Sequence, residues 1–513
     1  MTEKPETPTA AIASGYEVAG EALELGTVVL NGVADPDAQV RIPLGTINRH
    51  ALVAGATGTG KTKTLQVMAE QLSSAGVPVV MADVKSDLSG LSAAGEPDEA
   101  VLTRAADTGD EDWTPTGYPV TFYSLGTGGV GIPVRATVTS FGPILLSKVL
   151  GLNATQESTL GLIFHWADRN GLPLLDLPDL RQVIRHLTSD EGRAALDEIG
   201  AVSPATAGVI LRAVVNLENA GGDTFFGEPE LEAEDLLRVV DGHGTINLLE
   251  LGDEATRPAL FSTFLMWLLA DLFQALPEVG DVDKPRLVFF FDEAHLLFAD
   301  ASKAFLQQIE QTVKLIRSKG VGVVFCTQLP TDIPRSVLSQ LGARVQHTLR
   351  AFTPEDEAAL AKVVRTFPKT DAYDLGEVLT GLATGEAIVT VLSESGAPTP
   401  VAWTRLRPPR SLMGTVGESA MRASAQANPL YGKYDRTIDR ESAYEKLTAS
   451  VVGPTDVEPA TELPPETTTG GEPSVVEQVL GSTAVRSFVR SAASAAGREI
   501  GRSLFGTGRR RKR

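Results

Sequence analysis

One stretch of the chain carries residues able to hold a polyphosphate. Gly55-Ala56-Thr57-Gly58-Thr59-Gly60-Lys61-Thr62 matches the phosphate-loop pattern Gly-x4-Gly-Lys-Ser/Thr at each fixed position. Glycines at 55, 58 and 60 let the backbone turn tightly, so that successive N–H groups and the positive end of a following helix can surround phosphate oxygens. Lys61 then reaches the β- and γ-phosphates, and the Thr62 hydroxyl ligates Mg²⁺. The candidate nucleotide-binding set is therefore Gly55, Ala56, Thr57, Gly58, Thr59, Gly60, Lys61, Thr62 and Lys63, with ATP and Mg²⁺ as the expected ligands. The competing reading is a chance glycine turn, which a buried strand before the loop and a helix after it would exclude.

A second set lies at Asp292-Glu293, directly after the apolar run Leu287-Val288-Phe289-Phe290-Phe291. An acidic pair closing an apolar strand is the Walker B arrangement: Asp292 holds the metal and Glu293 serves the attacking water. A plain helix N-cap is the alternative for Asp292. Gln328 ends the next apolar run, Val321 to Cys326 plus Thr327, and a polar residue there can sense the γ-phosphate or hold the water. Cys326 reads as a small buried core residue. A further charged group, Asp83-Val84-Lys85-Ser86-Asp87, follows the run Val77 to Ala82 and stands open between a site role and a solvated loop.

Strands and helices must position these groups. Ala51–Ala54 has the length of a buried strand, and a helix is expected over Lys63–Ala75, stopped by Gly76. Further strands are expected at 27–30, 40–43, 77–83, 120–124, 245–250, 286–291, 321–326 and 344–349, with a hairpin-like end at 385–392 and 401–404. Helices are expected over 257–276, 302–317 and 335–341, with another opening at Thr353-Pro354-Glu355. Between about 140 and 240 only helical periods recur, which predicts an inserted all-α subdomain. The fold class is thus α/β, a RecA-like P-loop fold with a mostly parallel sheet. The expected domains are a disordered arm over 1–25, the ATPase domain over 26–415, a helical extension over 416–452, a Pro/Thr/Glu linker over 453–473 and a basic amphipathic helix and tail over 474–513.

Composition narrows the class further. A length of 513 residues suggests about three units. No run of 18 uncharged apolar residues is present and the first ten residues are polar, so a soluble cytoplasmic protein is the default. Cys326 is the only cysteine, which excludes internal disulfides and cysteine-based zinc sites. A net charge of −20 argues against a surface that is basic overall. The last forty residues differ: nine Arg/Lys against two Glu from 474 to 513 give a net +7, leaving −27 for the rest. Arg486, Arg490, Arg498 and Arg502 recur at multiples of four beside Val485, Val489, Ile500 and Leu504, a stripe that suits the acidic body, DNA or an anionic membrane surface.

The stretches NRHALVAGATGTGKT, FFFDEAHLLF and IRSKGVGVVFCTQLPTDIP resemble the HerA/FtsK group of ring-forming DNA-pumping ATPases, and more narrowly the HerA-like proteins of bacteria, over about residues 40–410. The resemblance implies a homohexamer acting on DNA, with ATP bound between subunits and an arginine supplied by the neighbour. Arg317 stands where that trans-acting arginine falls; Arg344 and Arg350 are second choices, and an ordinary capping or surface arginine is the alternative for each. HerA proteins carry an N-terminal barrel of roughly a hundred residues that docks a nuclease, and 54 residues precede the loop here, so that partner is not expected. Three functions compete at this stage: an ATP-driven DNA translocase or helicase, a ring ATPase that moves protein in the manner of secretion and conjugation ATPases, and a slow ATP-switched scaffold.

Overall fold

The computed structural model describes residues 7–451, apart from 84–86, 127–128, 193, 195–201, 251–257, 281, 300 and 394–395. The chain divides into two units, Met1–Gly453 and Pro454–Arg513. The expected linker and basic tail lie outside the described residues, as do Val84, Lys85 and Ser86.

Twelve strands form one large sheet, whose central members are apolar runs covered on both faces. Its strands are β1 (Ala22–Leu30), β2 (Val33–Pro43), β3 (Ala51–Ala54), β4 (Val79–Asp83), β5 (Val120–Leu125), β6 (Ile132–Val134), β9 (Ile246–Glu250), β10 (Leu287–Phe291), β11 (Val321–Thr327), β12 (Ala343–Gln346), β13 (Glu386–Val391) and β14 (Ala402–Leu406), while β7 (Val239–Val240) and β8 (His243–Gly244) make a separate ribbon. The order across the sheet is β2-β1-β14-β13-β12-β3-β11-β10-β4-β9-β5-β6. From β12 to β6 every neighbouring pair is parallel, and from β2 to β12 every pair is antiparallel. Central parallel strands are buried on both faces, which explains their unbroken apolar sequence.

Alternate side chains serve two cores. Leu287, Phe289, Phe291, Val321, Val323 and Phe325 face one layer, while Val288, Phe290, Val324 and Cys326 face the other. Burying each large side chain stabilises the fold by about 1.5–3 kcal/mol. The helix Lys61–Ser74 covers the second face through Leu65, Met68, Ala69 and Leu72. Helices Pro258–Ala275 and Lys303–Ile316 cover the first. The four helices Val138–Val149, Ala154–Arg169, Leu177–Thr188 and Pro204–Asn219 occupy the stretch expected as an inserted subdomain, and their buried residues belong to the same apolar core as that sheet face.

The segment expected as a disordered arm is ordered from Thr7 onward. Thr7 caps the helix Pro8–Ala13 by accepting a hydrogen bond from the Ala10 N–H at 3.2 Å. Tyr16 is buried, and its hydroxyl donates to the Val389 carbonyl at 2.8 Å, across 373 residues of sequence. One tertiary anchor thus outweighs the segment's weak local signal. Among the described residues, no helix is long and apolar enough to cross a membrane.

Candidate functional site

Strand register gathers the predicted chemistry at the carboxyl ends of β3, β11 and β10. Ala54 pairs with Thr327, and Phe291 pairs with Phe325, so Gly55 and Asp292 emerge two strands apart at the same edge of the sheet. The loop that follows β3 is held from behind: the Gly55 N–H donates to the Thr327 carbonyl at 3.2 Å and the Ala56 N–H to the Thr348 carbonyl at 2.9 Å. The glycines are required. A Cβ on Gly55, whose φ is 153°, would stand 2.5 Å from the His347 Cβ. Gly60, with φ 105°, is the N-cap of the helix Lys61–Ser74 and supplies no side-chain cap. The first N–H groups of that helix therefore point toward the loop without a capping oxygen, a ready site for anionic oxygen.

Lys61 folds back over this loop, its Nζ donating to the carbonyls of Gly55 at 2.7 Å and Ala56 at 3.2 Å. Thr62 is half-buried beside it. Lys63 points elsewhere: its Nζ donates to Gln66 Oε1 at 2.9 Å, and burial lowers its pKa against the opposing pull of Asp87, Asp83 and Glu70. Only its backbone remains available to the loop. Asp83 is buried, not solvated, with its two carboxylate oxygens accepting the N–H groups of Asp87 (3.2 Å) and Leu88 (2.8 Å).

Across the gap, Asp292 Oδ1 accepts the Glu293 N–H at 2.9 Å. Glu293 adopts φ 47°, a left-handed conformation costly for a side chain with a Cβ and typical of functional sites. Its Oε2 lies 3.3 Å from His295 Nδ1 but is buried without a hydrogen-bond partner among the described residues. Cys326 sits between the two motifs. Burial raises its thiol pKa, and the Asp292 carboxylate, to which it donates a hydrogen bond, raises it further, while Lys61 pulls it down. The thiol stays protonated, as expected of a core cysteine. Gln328 stands exposed at the tip of β11, between the phosphate-loop strand and the acidic strand.

The three arginines separate. Arg317 follows the helix Lys303–Ile316 and precedes β11, at the opposite end of the strands from the phosphate loop. Arg344 lies within β12, its Nη1 donating to the Thr366 carbonyl at 3.3 Å. Arg350 comes to the loop of its own chain and donates from Nη2 to the Thr57 carbonyl at 3.0 Å.

Two histidines escape a reading of motifs. His347, just beyond β12, is buried under the loop; its Nε2 lies 2.9 Å from the Thr64 hydroxyl, and burial followed by the Lys61 charge pushes its pKa down to about 4. The polar pair Gln346-His347 closing β12 is the one signal that marks it. His50, with φ 64°, sits at the other end of β3; its Nδ1 accepts the Val323 N–H at 3.0 Å and its Nε2 donates to the Val313 carbonyl at 2.8 Å. Burial lowers its pKa to about 4 as well.

The residues fit a magnesium nucleotide. The uncapped helix end, the Lys61 ammonium and the orphaned Glu293 oxygen are groups that a phosphate, or a water aligned with it, would satisfy. No group of three or more His, Cys, Asp or Glu side chains forms a metal cage among the described residues. A magnesium ion ordinarily takes one or two oxygens from the protein and the rest from phosphate and water.

A family model described as Helicase HerA-like C-terminal matches residues 29–513. Among solved structures, the bacterial conjugative coupling protein TrwB lacking its first 70 residues, in complex with sulphate, aligns with a TM-score of 0.53 and 15% identity over 80% of this chain and 96% of that one. Plasmid coupling protein TrwB with ADP and Mg²⁺ aligns with a TM-score of 0.50 and 15% identity over 79% and 95%. At that identity the likeness is one of fold, and the fold is the RecA-like P-loop type. The curated proteins contain no match.

Proposed function

The chain belongs to the helicase HerA-like C-terminal family, and from that premise we propose that it is an ATP-hydrolysing ring motor that translocates on DNA. The observation that carries the reading is the convergence of Lys61 and its uncapped helix end with Asp292 and Glu293 around Cys326. Mg²⁺, when bound, neutralises charge on the β- and γ-phosphates. Thr62 and Asp292 would hold that ion. Lys61 gives up its carbonyl contacts to meet the phosphates. Glu293, whose Oε2 makes no hydrogen bond among the described residues and lies 3.3 Å from His295 Nδ1, accepts a hydrogen bond from the attacking water and aligns it. Gln328, exposed one strand away, reaches the terminal phosphate or that water.

Arg317 completes the site from a neighbouring copy. Seven residues of β11 separate it from the phosphate loop of its own chain, about 23 Å at 3.3 Å per residue. From that position the guanidinium would serve the loop of a neighbouring copy, and in this reading the active form is a ring of identical subunits, a hexamer by the family resemblance. A protein-moving ring is the second reading, favoured by the net charge of −20, since a DNA pump needs phosphate-neutralising groups along its path. The likeness to TrwB, a bacterial conjugative coupling protein, is compatible with either cargo.

ATP turnover measured with and without linear double-stranded DNA tests the choice. The expected result is DNA stimulation that weakens as salt rises. Turnover indifferent to DNA overturns the DNA reading and leaves the protein-moving one.

A further inference from the structure

Two exposed apolar side chains stand at opposite ends of the central strands, each in a charged setting of opposite sign. Phe352 is 84% exposed, more than any other large apolar residue described. It precedes the helix Pro354–Val364, whose capping box pairs Thr353 with Asp356, and Asp356 Oδ2 also accepts the Phe352 N–H at 3.1 Å. An apolar residue in that position ordinarily packs on the fourth residue of its helix. Here the fourth residue is Glu357, so the ring has no such partner and the fold has no use for it. The ring is held firmly at the backbone, two residues from Arg350, whose guanidinium touches Thr57 of the phosphate loop. Glu355 and Glu357, both exposed, flank it.

At the other end, Leu315 is 48% exposed and lies off the face that Phe305, Ile309, Val313 and Ile316 bury. Its neighbours are the exposed Lys314, the half-buried Lys319 and Arg317. The two patches cannot meet within one chain, because the length of β11 lies between them.

We infer that Phe352 of one copy packs against Leu315 of the next, with Glu355 and Glu357 facing Lys314 and Lys319, and that this contact aims Arg317 at the neighbouring phosphate loop. The contact rests on the ring reading above. It is a head-to-tail interface between different patches, the kind that closes into a ring when the rotation allows. A central aromatic anchor ringed by complementary charge is the arrangement that concentrates binding energy and fixes register. Because Phe352 lies beside the loop and Leu315 lies two residues from Arg317, assembly and catalysis are set by one contact.

Full-length protein with ATP and Mg²⁺, followed by sedimentation and by turnover against protein concentration, tests this. Phe352→Asp should move the midpoints of assembly and of activity together to at least tenfold higher concentration. Glu355→Lys with Glu357→Lys should do the same, and adding Lys314→Glu with Lys319→Glu in the same chain should restore assembly toward wild type. If the acidic-pair reversal leaves assembly unchanged, or if the four-site variant assembles no better than either pair alone while its circular dichroism matches wild type, the inference is overturned and the ring reading stands. A wild-type protein that stays monomeric with ATP at all concentrations overturns both.

Discussion

The two ends of β3 and β11 are built on contrary principles. At the carboxyl ends, polar groups are left for something else to satisfy: an uncapped helix terminus, an ammonium resting on its own loop and a buried Glu293 oxygen without a partner. At the amino ends the buried imidazole is spoken for within the fold, with both ring nitrogens of His50 bonded to backbone at 3.0 and 2.8 Å. One end stores unmet hydrogen-bonding capacity, a requirement for binding charged ligands in a dry site. The other spends its polar groups on locking helix 303–316 and β11 to β3, and so fixes the base from which Arg317 projects. Function at the first end is chemical; at the second it is positional.

The sharpest break in this contrast comes from Arg317, the one reactive group assigned to the positional end. Arg317→Ala should lower turnover by about 10³-fold or more, the usual scale for a finger supplied in trans, with ATP binding retained. Mixing it with Glu293→Gln protein should recover activity at interfaces where each copy supplies what the other lacks. Absence of recovery, with subunit exchange shown by fluorescence transfer, would put Arg317 outside the site.

At the chemical end, Glu293→Gln should bind ATP and turn over at least 10²-fold more slowly, because the amide no longer accepts the water's proton. Near-normal turnover in a single-turnover assay would remove Glu293 from that role. The left-handed φ of 47° gives the substitution little strain to add, since Gln carries the same Cβ.

The chemical end is the legible one. Gly55 to Thr62 and Asp292-Glu293 are contiguous in sequence because a phosphate loop and a strand tip are local devices, and the apolar runs beside them mark buried parallel strands. What was not legible depends on register. His347 supports the loop only because β12 runs beside β3, and Arg350 reaches Thr57 across 293 residues of sequence. The arm before β1 reads as mobile because six helical residues are too few to signal themselves, and the Tyr16 anchor that orders them is a contact with β13. The helices of 138–219 read as a separate subdomain because periodicity shows which face is apolar but not what covers it.

Removing the His50 ring tests the positional end. His50→Ala leaves the Val323 N–H and the Val313 carbonyl buried without their partner, and should destabilise the protein by about 2–4 kcal/mol while leaving the affinity of intact protein for ATP unchanged. A loss of ATP affinity out of proportion to stability, measured by titration below the unfolding midpoint, would show that the two ends are not separable.

The smallest effect expected is one of pH, and it separates the two histidines. Both are held neutral in the fold, with pKa values lowered from 6.5 to about 4 by burial. Above pH 6.5 neither state binds the extra proton and their contribution is constant. Between pH 6.5 and 4 the unfolded chain protonates each ring while the folded protein does not, so stability falls with falling pH by about 1.4 kcal/mol per unit per histidine; below pH 4 the loss levels off. His50→Gln should remove one such contribution, and the denaturation midpoint of that variant should then vary less steeply with pH over this window than that of wild type. His347 differs in having Lys61 as a second cause of its low pKa. Bound nucleotide, which supplies negative charge to Lys61, should therefore relieve the pressure on His347 and leave that on His50 untouched. Carbon-13-labelled histidine followed by NMR with a non-hydrolysable analogue should show an upward move of the His347 titration alone, and equal shifts at both rings would erase the distinction between the ends.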